Sequence, residues 1–381
     1  MATPPSREFF SPSRVHRGIT AARRADPAMV GKRVATALLA LATAVPAHQV
    51  SQADAAAAAA TVFGTRVHGY ERMARVFETT GIRKRHLVRP LDWFMTPRGW
   101  EERSDAFLEG ASDLFVIAAT RALDAADVRA ADVDAIVTVT STGIAAPSLE
   151  ARVAGRMGFR ADVERVPIFG LGCAGGVSGL TTAARLAEAR PGTTVLFIAV
   201  ETCSLAFRPD DLSKASIVAT ALFADGAAAC VLRAGAGGRP TIEWGGQRLW
   251  PDTLDIMGWR VEEQGLGVVF DRAIPPFAEA HVGAAVEAML AGAGLVHGDI
   301  ARFVCHPGGT KVVDALEHAL RLASGDLADE RAVLADYGNM SAPTVLFVLE
   351  RVLARGLAGR AALLALGPGF TASGLTLRAA A

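Results

Sequence analysis

The chain contains four cysteines, at positions 173, 203, 230 and 305, and one of them stands in a setting suited to reactivity. Cys173 lies within Ile168-Phe-Gly-Leu-Gly-Cys-Ala-Gly-Gly-Val-Ser-Gly179. A short apolar run leads in, glycines surround the thiol, and a helical spacing of Leu180, Ala183, Ala184 and Ala187 leads out. A cysteine at the start of a helix meets the positive end of the helix dipole and unpaired backbone N–H groups, and both favour the thiolate. Glycine permits the sharp turn and leaves room for a molecule to approach the sulfur. The same residues also describe a tight buried turn around an inert thiol, and the rest of the chain has to decide between the two. Cys203, Cys230 and Cys305 fall in or beside strand-like runs, where small buried thiols are common; of these, Cys203 is a candidate to line a cavity.

With 381 residues, the chain is long enough for two domains or one large duplicated one. Half the residues are hydrophobic (51%) and a fifth charged (20%), as in an α/β enzyme rather than a disordered or fibrous chain. The 39 basic residues balance 39 acidic ones, which gives no support for nucleic-acid binding. The cysteines show neither CxxC pairing nor a metal-ligand spacing, so a reduced, cytoplasmic setting without a metal is expected. No apolar run reaches the roughly 18–20 residues of a membrane helix. The stretch 31–45 has a basic start and a short apolar centre, the outline of a signal peptide, but reads better as a buried first strand with its flanks.

Residues 1–30, rich in Pro, Ser and Arg, read as a disordered tail. Beyond it the pattern predicts a strand over 32–45, an Ala-rich helix over 49–64 capped by Ser51, a loop over 90–102 and a long amphipathic helix over 104–125. The runs 134–140 and 194–200 are continuously apolar, as in a parallel sheet buried on both faces. Helices are expected over 148–157, 273–293, 310–322 and 341–355, and strands over 221–233, 302–306, 360–366 and 373–378. Gly235-Ala-Gly-Gly238 is a connection, because no strand–helix context makes it a dinucleotide fingerprint. Arg72, Arg75, Arg83, Lys84 and Arg85 form a basic cluster, either a solvated face or a patch for an acidic ligand such as a nucleotide phosphate.

A repeat is visible in the spacing. Cys173 precedes the strand that begins at Val195 by 22 residues, and Asn339 precedes the strand that begins at Ala361 by the same 22. His306 stands 33 residues before Asn339, as Thr140 stands 33 before Cys173. The last strands also match, Ala227–Arg233 with Ala372–Arg378. Two similar α/β halves, 31–235 and 236–381, would pack about a pseudo-twofold axis. Cys173 and Asn339 then occupy equivalent turns with His306 at a strand end beside them, where open α/β sheets bind ligands. The nucleophile reading of Cys173 gains accordingly.

Gly172-Cys173-Ala-Gly-Gly, His306-Pro-Gly-Gly, Tyr337-Gly-Asn339-Met-Ser-Ala-Pro and Gly367-Pro-Gly-Phe370 together resemble the type III polyketide synthases, the chalcone-synthase-like enzymes of the thiolase superfamily. The resemblance covers roughly residues 32–381 and is nearest to bacterial alkylresorcinol and alkylpyrone synthases. It implies a layered αβαβα thiolase-like α/β fold, a homodimer, and a catalytic set of Cys173, His306 and Asn339 with no cofactor. The implied chemistry loads an acyl group from coenzyme A onto Cys173. Decarboxylation of malonyl-CoA then gives an enolate held by His306 and Asn339, which attacks the Cys173 thioester. Repetition and ring closure follow. An ion pair between Cys173 and His306 is expected to activate the thiol.

The family's other positions carry over to Phe223 as an aromatic gate, Arg72 and Arg75 as coenzyme A contacts, and Ser341, Gly367, Pro368, Gly369 and Phe370 as cavity lining. Three positions depart from the plant pattern by losing volume: Val268 for a second gate phenylalanine, Ala206 for a cavity threonine, and Ala146 for a methionine that reaches across the dimer. Together with Trp250-Pro-Asp-Thr-Leu-Asp-Ile-Met-Gly-Trp259, they suggest room for a long aliphatic starter. Two rivals are a β-ketoacyl-carrier-protein synthase III-like enzyme, which condenses once, and a non-catalytic acyl-binding subunit. The first departs at His306-Pro-Gly-Gly, and the second would usually have lost the nucleophile. A thiolase would need a second cysteine where the chain reads Gly367-Pro-Gly-Phe370.

Overall fold

The computed structural model describes residues 34–380, so the tail expected over 1–30 lies outside the described residues. The first half opens with β1 (Thr36–Ala44), β2 (His48–Ser51) and α1 (Gln52–Phe63). Ser51 caps α1 by accepting the Asp54 amide, as its type predicts. Then come α2 (Tyr70–Ala74), α3 (Val76–Thr79), β3 (Lys84–Leu87) and the long α4 (Trp100–Ala126). β4 (Ala135–Val139), α5 (Leu149–Met157) and β5 (Glu164–Ile168) lead to the Cys173 turn. After it run α6 (Gly175–Ala189), β6 (Thr194–Thr202), α7 (Lys214–Leu222) and β7 (Asp225–Ala234).

The second half begins with β8 (Thr241–Leu249) and a hairpin of β9 (Met257–Glu262) and β10 (Gly265–Phe270). It continues through α8 (Ile274–Gly292), β11 (Arg302–Cys305), α9 (Thr310–Ala319) and α10 (Ala328–Tyr337). α11 (Thr344–Ala354), β12 (Arg360–Gly367) and β13 (Thr371–Arg378) close the chain.

Among the described residues nine strands join in the order β11-β12-β13-β8-β1-β7-β6-β4-β5. The order is a palindrome about the β8–β1 seam: β1 answers β8, β7 answers β13, β6 answers β12 and β4 answers β11. At the seam Thr36 and Ala37 pair antiparallel with Ile242 and Thr241. The repeat inferred from spacing is thus present in the hydrogen bonding. Parallel pairing occurs where the apolar runs are unbroken, β4 with β5 and β6, and β11 with β12.

Three large apolar cores hold five layers together, the middle one filling both faces of the central helix layer. Phe107, Leu114 and Phe115 of α4 pack on Ile136, Leu196 and Ile198 of the first half. α8 and α9 cover Phe303, Ala362 and Leu364 of the second half. Between them, Val177 and Leu180 of α6 and Val345 and Val348 of α11 share one core with strands of both halves. The order of layers is therefore α, β, α, β, α, with the repeated helices innermost.

Some local expectations shift. The loop expected over 90–102 is a single 3-10 turn (Leu91–Met95) and the first residues of α4, extended back to Trp100. α7 carries Ile217 and Val218, residues that favour strands, yet is a helix because Ser213 caps it by accepting the Ser216 amide. The signal-like stretch is β1, paired on both sides.

The innermost layer tolerates little extra volume. A Cβ on Gly176 would lie 2.2 Å from the Ala342 carbonyl oxygen, just ahead of α11. Backbone cannot move away as a side-chain tip can. Replacing Gly176 by Val should lower the free energy of unfolding by about 3 kcal/mol or prevent soluble expression; a urea midpoint equal to the parent would show that the two helices have slack.

Candidate active site

Cys173 stands in one 3-10 turn (Gly172–Ala174) directly ahead of α6. Gly172 adopts φ 48°, and a Cβ there would lie 2.7 Å from Pro368 Cδ. Its amide donates to Ser141 Oγ at 3.0 Å. The turn is thereby wedged between the segments that follow β4 and β12.

His306 prolongs β11, its amide donating to the Leu364 carbonyl at 2.8 Å. Its ring therefore emerges at the carboxyl end of a parallel strand pair. Asn339 follows α10, and its amide donates to the Leu222 carbonyl at 2.8 Å. The Asn339 carbonyl accepts from Ala224 N at 3.0 Å, so Phe223 and Asn339 form an isolated parallel bridge. Asn339 Oδ1 accepts from Ser341 N at 2.8 Å, and Nδ2 donates to the Gly308 carbonyl at 3.1 Å. An amide NH2 has two hydrogens, so one remains to donate. Among the described residues neither ring nitrogen of His306 has a protein partner.

Cys173, His306 and Asn339 line one cavity with about 670 Å3 of free space, counting its mouth. Phe223, Val268, Ser341 and Pro368 are also on its walls. Met257, Trp259, Phe270, Ile274, Val312 and Leu366 complete an apolar lining. Met257 and Trp259 fall in the stretch Trp250–Trp259 of the sequence, Phe270, Ile274, Val312 and Leu366 in no motif, and the β9–β10 hairpin that supplies three of the six is recognisable only as a register. Val268 pairs with Trp259, so the indole stands beside the position where volume is lost.

Other expected positions lie elsewhere. Ala206 ends a 3-10 turn, Cys203–Ala206, and does not reach the cavity, whereas Cys203 does. Gly367 packs against Ala174 and Leu171, where a Cβ would lie 2.6 Å from each. Gly369 lies against Leu249 and Thr371. Phe370 is fully buried between Trp250 and Phe277, in the core under α8. These three act behind the wall rather than on it.

A second, apolar cavity shares Cys203 and Phe223 with the first. α1 contributes Ala55, Ala58 and Ala59 to it, and the 3-10 turn before α4 contributes Leu91, Phe94 and Met95. A wider opening shares Phe270, Ile274, Gly308 and Val312 with the first cavity and carries Lys214, Arg272 and Lys311. Arg72 and Arg75 are exposed on and just after α2 and are not on that rim.

The basic cluster of the sequence divides by burial. Arg83 pairs with Asp336 at 2.5 Å on the surface. Arg85 is buried and donates to the carbonyls of Thr220 (2.6 Å), Ala221 (2.8 Å) and Phe223 (3.0 Å), and to Gln52 Oε1. It therefore neutralises the negative end of α7 and holds Phe223 in place, a structural task.

Burial dominates the electrostatics. It pushes the Cys173 thiol up to about 12, against a hydrogen bond with Ser341, with the Glu201 carboxyl adding to the rise. It pulls the His306 imidazole down to about 4. Both directions favour the neutral forms and run against the expected ion pair. The dipole of α6 does not outweigh desolvation. A neutral imidazole still offers one acceptor and one donor.

Glu201, at the end of β6, is fully buried and was not marked by any motif. Its Oε2 accepts from Ser141 N (2.8 Å), Thr142 Oγ1 (2.7 Å) and Thr140 Oγ1 (3.3 Å). Burial nevertheless raises its carboxyl to about 7.

The site and the fold have close counterparts. The family description "Chalcone and stilbene synthases, N-terminal domain" matches residues 24–236, and its C-terminal counterpart matches residues 241–381. The chain belongs to the chalcone and stilbene synthase family, the type III polyketide synthases. It is 41% identical to a 1,3,6,8-tetrahydroxynaphthalene synthase of Streptomyces peucetius subsp. caesius, over 90% of this chain and 93% of the relative. It is 31% identical to an alpha-pyrone synthesis polyketide synthase-like protein of Mycobacterium tuberculosis, over 88% of this chain and 89% of that one. The crystal structure of the tetrahydroxynaphthalene synthase of Streptomyces coelicolor A3(2) superposes with a TM-score of 0.86 at 30% identity, covering 91% of this chain and 99% of that one. The layered α/β architecture is accordingly the thiolase-like fold of type III polyketide synthases, and the enzyme is an acyltransferase of the decarboxylative-condensation type.

The raised Glu201 carboxyl has a consequence for stability. A carboxyl whose folded pKa lies above its unfolded value contributes stability at low pH and loses it as pH rises through the folded value. Between its ordinary value of 4.5 and about 7, Glu201 should remove about 3 kcal/mol of stability. Replacing Glu201 by Gln should flatten that part of a pH series of urea unfolding curves; an unchanged slope would place the titration elsewhere.

Proposed function

We propose that this enzyme loads a long-chain fatty acyl group from coenzyme A onto Cys173 and extends it repeatedly with malonyl-CoA. An alkylresorcinol or alkylpyrone would be the product. The observation that carries the starter assignment is the apolar cavity beyond Cys203 and Phe223, which offers an aliphatic chain apolar walls adjoining the cavity that Cys173 lines. Lys214, Arg272 and Lys311 suit the coenzyme A phosphates at the opening.

In this reading His306 accepts the Cys173 proton as sulfur attacks the thioester carbonyl, and the proton leaves with the coenzyme A thiol. Malonyl-CoA then occupies the same opening. Loss of carbon dioxide places negative charge on its thioester oxygen, where the His306 ring and the spare Asn339 Nδ2 hydrogen can donate. The enolate carbon attacks the acyl-Cys173 carbonyl, a C–C bond forms, and the thiolate leaves. The apolar lining excludes water from both the thioester and the enolate.

A homodimer is part of the proposal. β5 is an unpaired sheet edge, and Ile144 and Phe169 follow the parallel strands β4 and β5 at the same end. Both are more than half exposed (57% and 54%), and Ala146 is close by in the chain. An apolar edge of this kind calls for a cover. Phe169→Asp should convert a dimer to a monomer in sedimentation equilibrium; a parent that sediments as a monomer would sink the assignment.

A second reading is favoured by the 41% identical relative. A tetrahydroxynaphthalene has ten carbons, which five two-carbon units supply without any fatty starter. Mass spectrometry of products from C2 to C18 acyl-CoA starters with malonyl-CoA, and from malonyl-CoA alone, separates the two. The primary reading expects long acyl starters to be preferred and Ala219→Trp, which fills the second cavity, to shift preference to short ones. A ten-carbon aromatic from malonyl-CoA alone, unaffected by Ala219→Trp, would establish the second reading instead. Cys173→Ala should abolish both products.

A further inference from the structure

The roof of the reaction cavity is a small element with few ties. β9 and β10 pair with each other and with no other strand among the described residues. Met257, Gly258 and Trp259 of β9 and Val268, Val269 and Phe270 of β10 all line the cavity. The height of this hairpin therefore sets how much chain the cavity can hold.

Glu262 closes β9, and its Oε2 accepts from Arg208 Nη2 at 2.8 Å. The Arg208 side chain is only 8% exposed, and its Nε and Nη1 have no other protein partner. Its neighbour Arg103 is a like charge that donates through Nη1 to the carbonyls of Leu205 (2.6 Å) and Phe207 (2.7 Å) and through Nε to that of Arg98 (3.1 Å). Glu262 is thus the direct counter-charge of a buried guanidinium. Its carboxylate reaches Arg208 by crossing the bare face of Gly267, where a Cβ would lie 2.3 Å from Oε1. Gly265 rests on the first turn of α4, within 3.6 Å of Trp100 and Arg103 when given a Cβ. Arg260 adds a looser contact to Glu262 at 3.7 Å.

We propose that the Arg208–Glu262 pair is a positioning element that clamps the β9–β10 hairpin over the cavity and thereby limits the number of chain extensions. Neither residue lines the cavity, so both act through Trp259, Val268 and Phe270. Removing the carboxylate leaves Arg208 buried without its partner, a state that favours lifting the hairpin toward water. The proposal rests on the reading that the chain grows in this cavity.

The test compares Glu262→Gln, the conservative Glu262→Asp, and Gly267→Ala, which displaces the carboxylate without changing charge. Hydrogen exchange of amides 257–270 reads the clamp. Product masses with one acyl-CoA starter read the extension number, and carbon dioxide release from malonyl-CoA reads the catalytic set. Glu262→Gln and Gly267→Ala should speed hairpin exchange by about tenfold and shift products by one or more two-carbon units. Carbon dioxide release should stay within about twofold of the parent, and Glu262→Asp should keep the parental products. Unchanged exchange in both variants would overturn the clamp. Faster exchange with unchanged product masses would overturn its role in extension. A parent that adds a single unit would instead overturn the polyketide reading, and the exchange data would still decide the clamp.

Discussion

The close approach of α6 and α11 between two half-sheets is the constraint on which the rest of the molecule depends. Each helix buries apolar side chains against strands of both halves, which is possible only if the backbones nearly touch. Gly176 against the Ala342 carbonyl is a point of very close approach. Because the helices are repeats of one another, bringing them together also brings together the turns that precede them. Those turns carry Cys173 and Asn339. The active-site geometry is a by-product of packing symmetry, and the chemistry needs only the right side chains at the two turns and at one strand end.

Much of this was legible in the sequence, for identifiable reasons. The equal spacing from Cys173 to β6 and from Asn339 to β12 reflects one helix plus one connection in each half, and so it fixed the palindromic sheet. The apolar runs of β4 and β6 mark strands buried on both faces. Val268 and Trp259 were both singled out, but the hairpin that brings them together was not legible, because they are related by strand register rather than by motif. Arg85 was misplaced among surface cations because net charge carries no information about burial; four acceptors around α7 explain why it is inside. The flat loop Gly367–Phe370 likewise divides, with Pro368 on the cavity and Phe370 in the core.

Desolvation gives the cavity its chemical character. The same dry surroundings raise Cys173, lower His306 and raise Glu201, so each group rests in its neutral form or close to it. A neutral nucleophile is protected from oxidation and from idle reaction with solvent-borne electrophiles. In the proposed chemistry, a bound thioester changes this balance by supplying a carbonyl that accepts charge as the sulfur proton moves to the imidazole. Activation then belongs to the complex and not to the empty protein.

One link in the backbone extends this picture. Phe223 stands between the reaction cavity and the apolar one, and Asn339 is joined to its flanks by hydrogen bonds from Asn339 N to Leu222 O and from Ala224 N to Asn339 O. The residue that separates the two spaces and the asparagine on the cavity wall are therefore joined through their backbones. A backbone shift at position 223 is passed to position 339. The two spaces therefore share a common backbone wall and cannot be reshaped independently of one another.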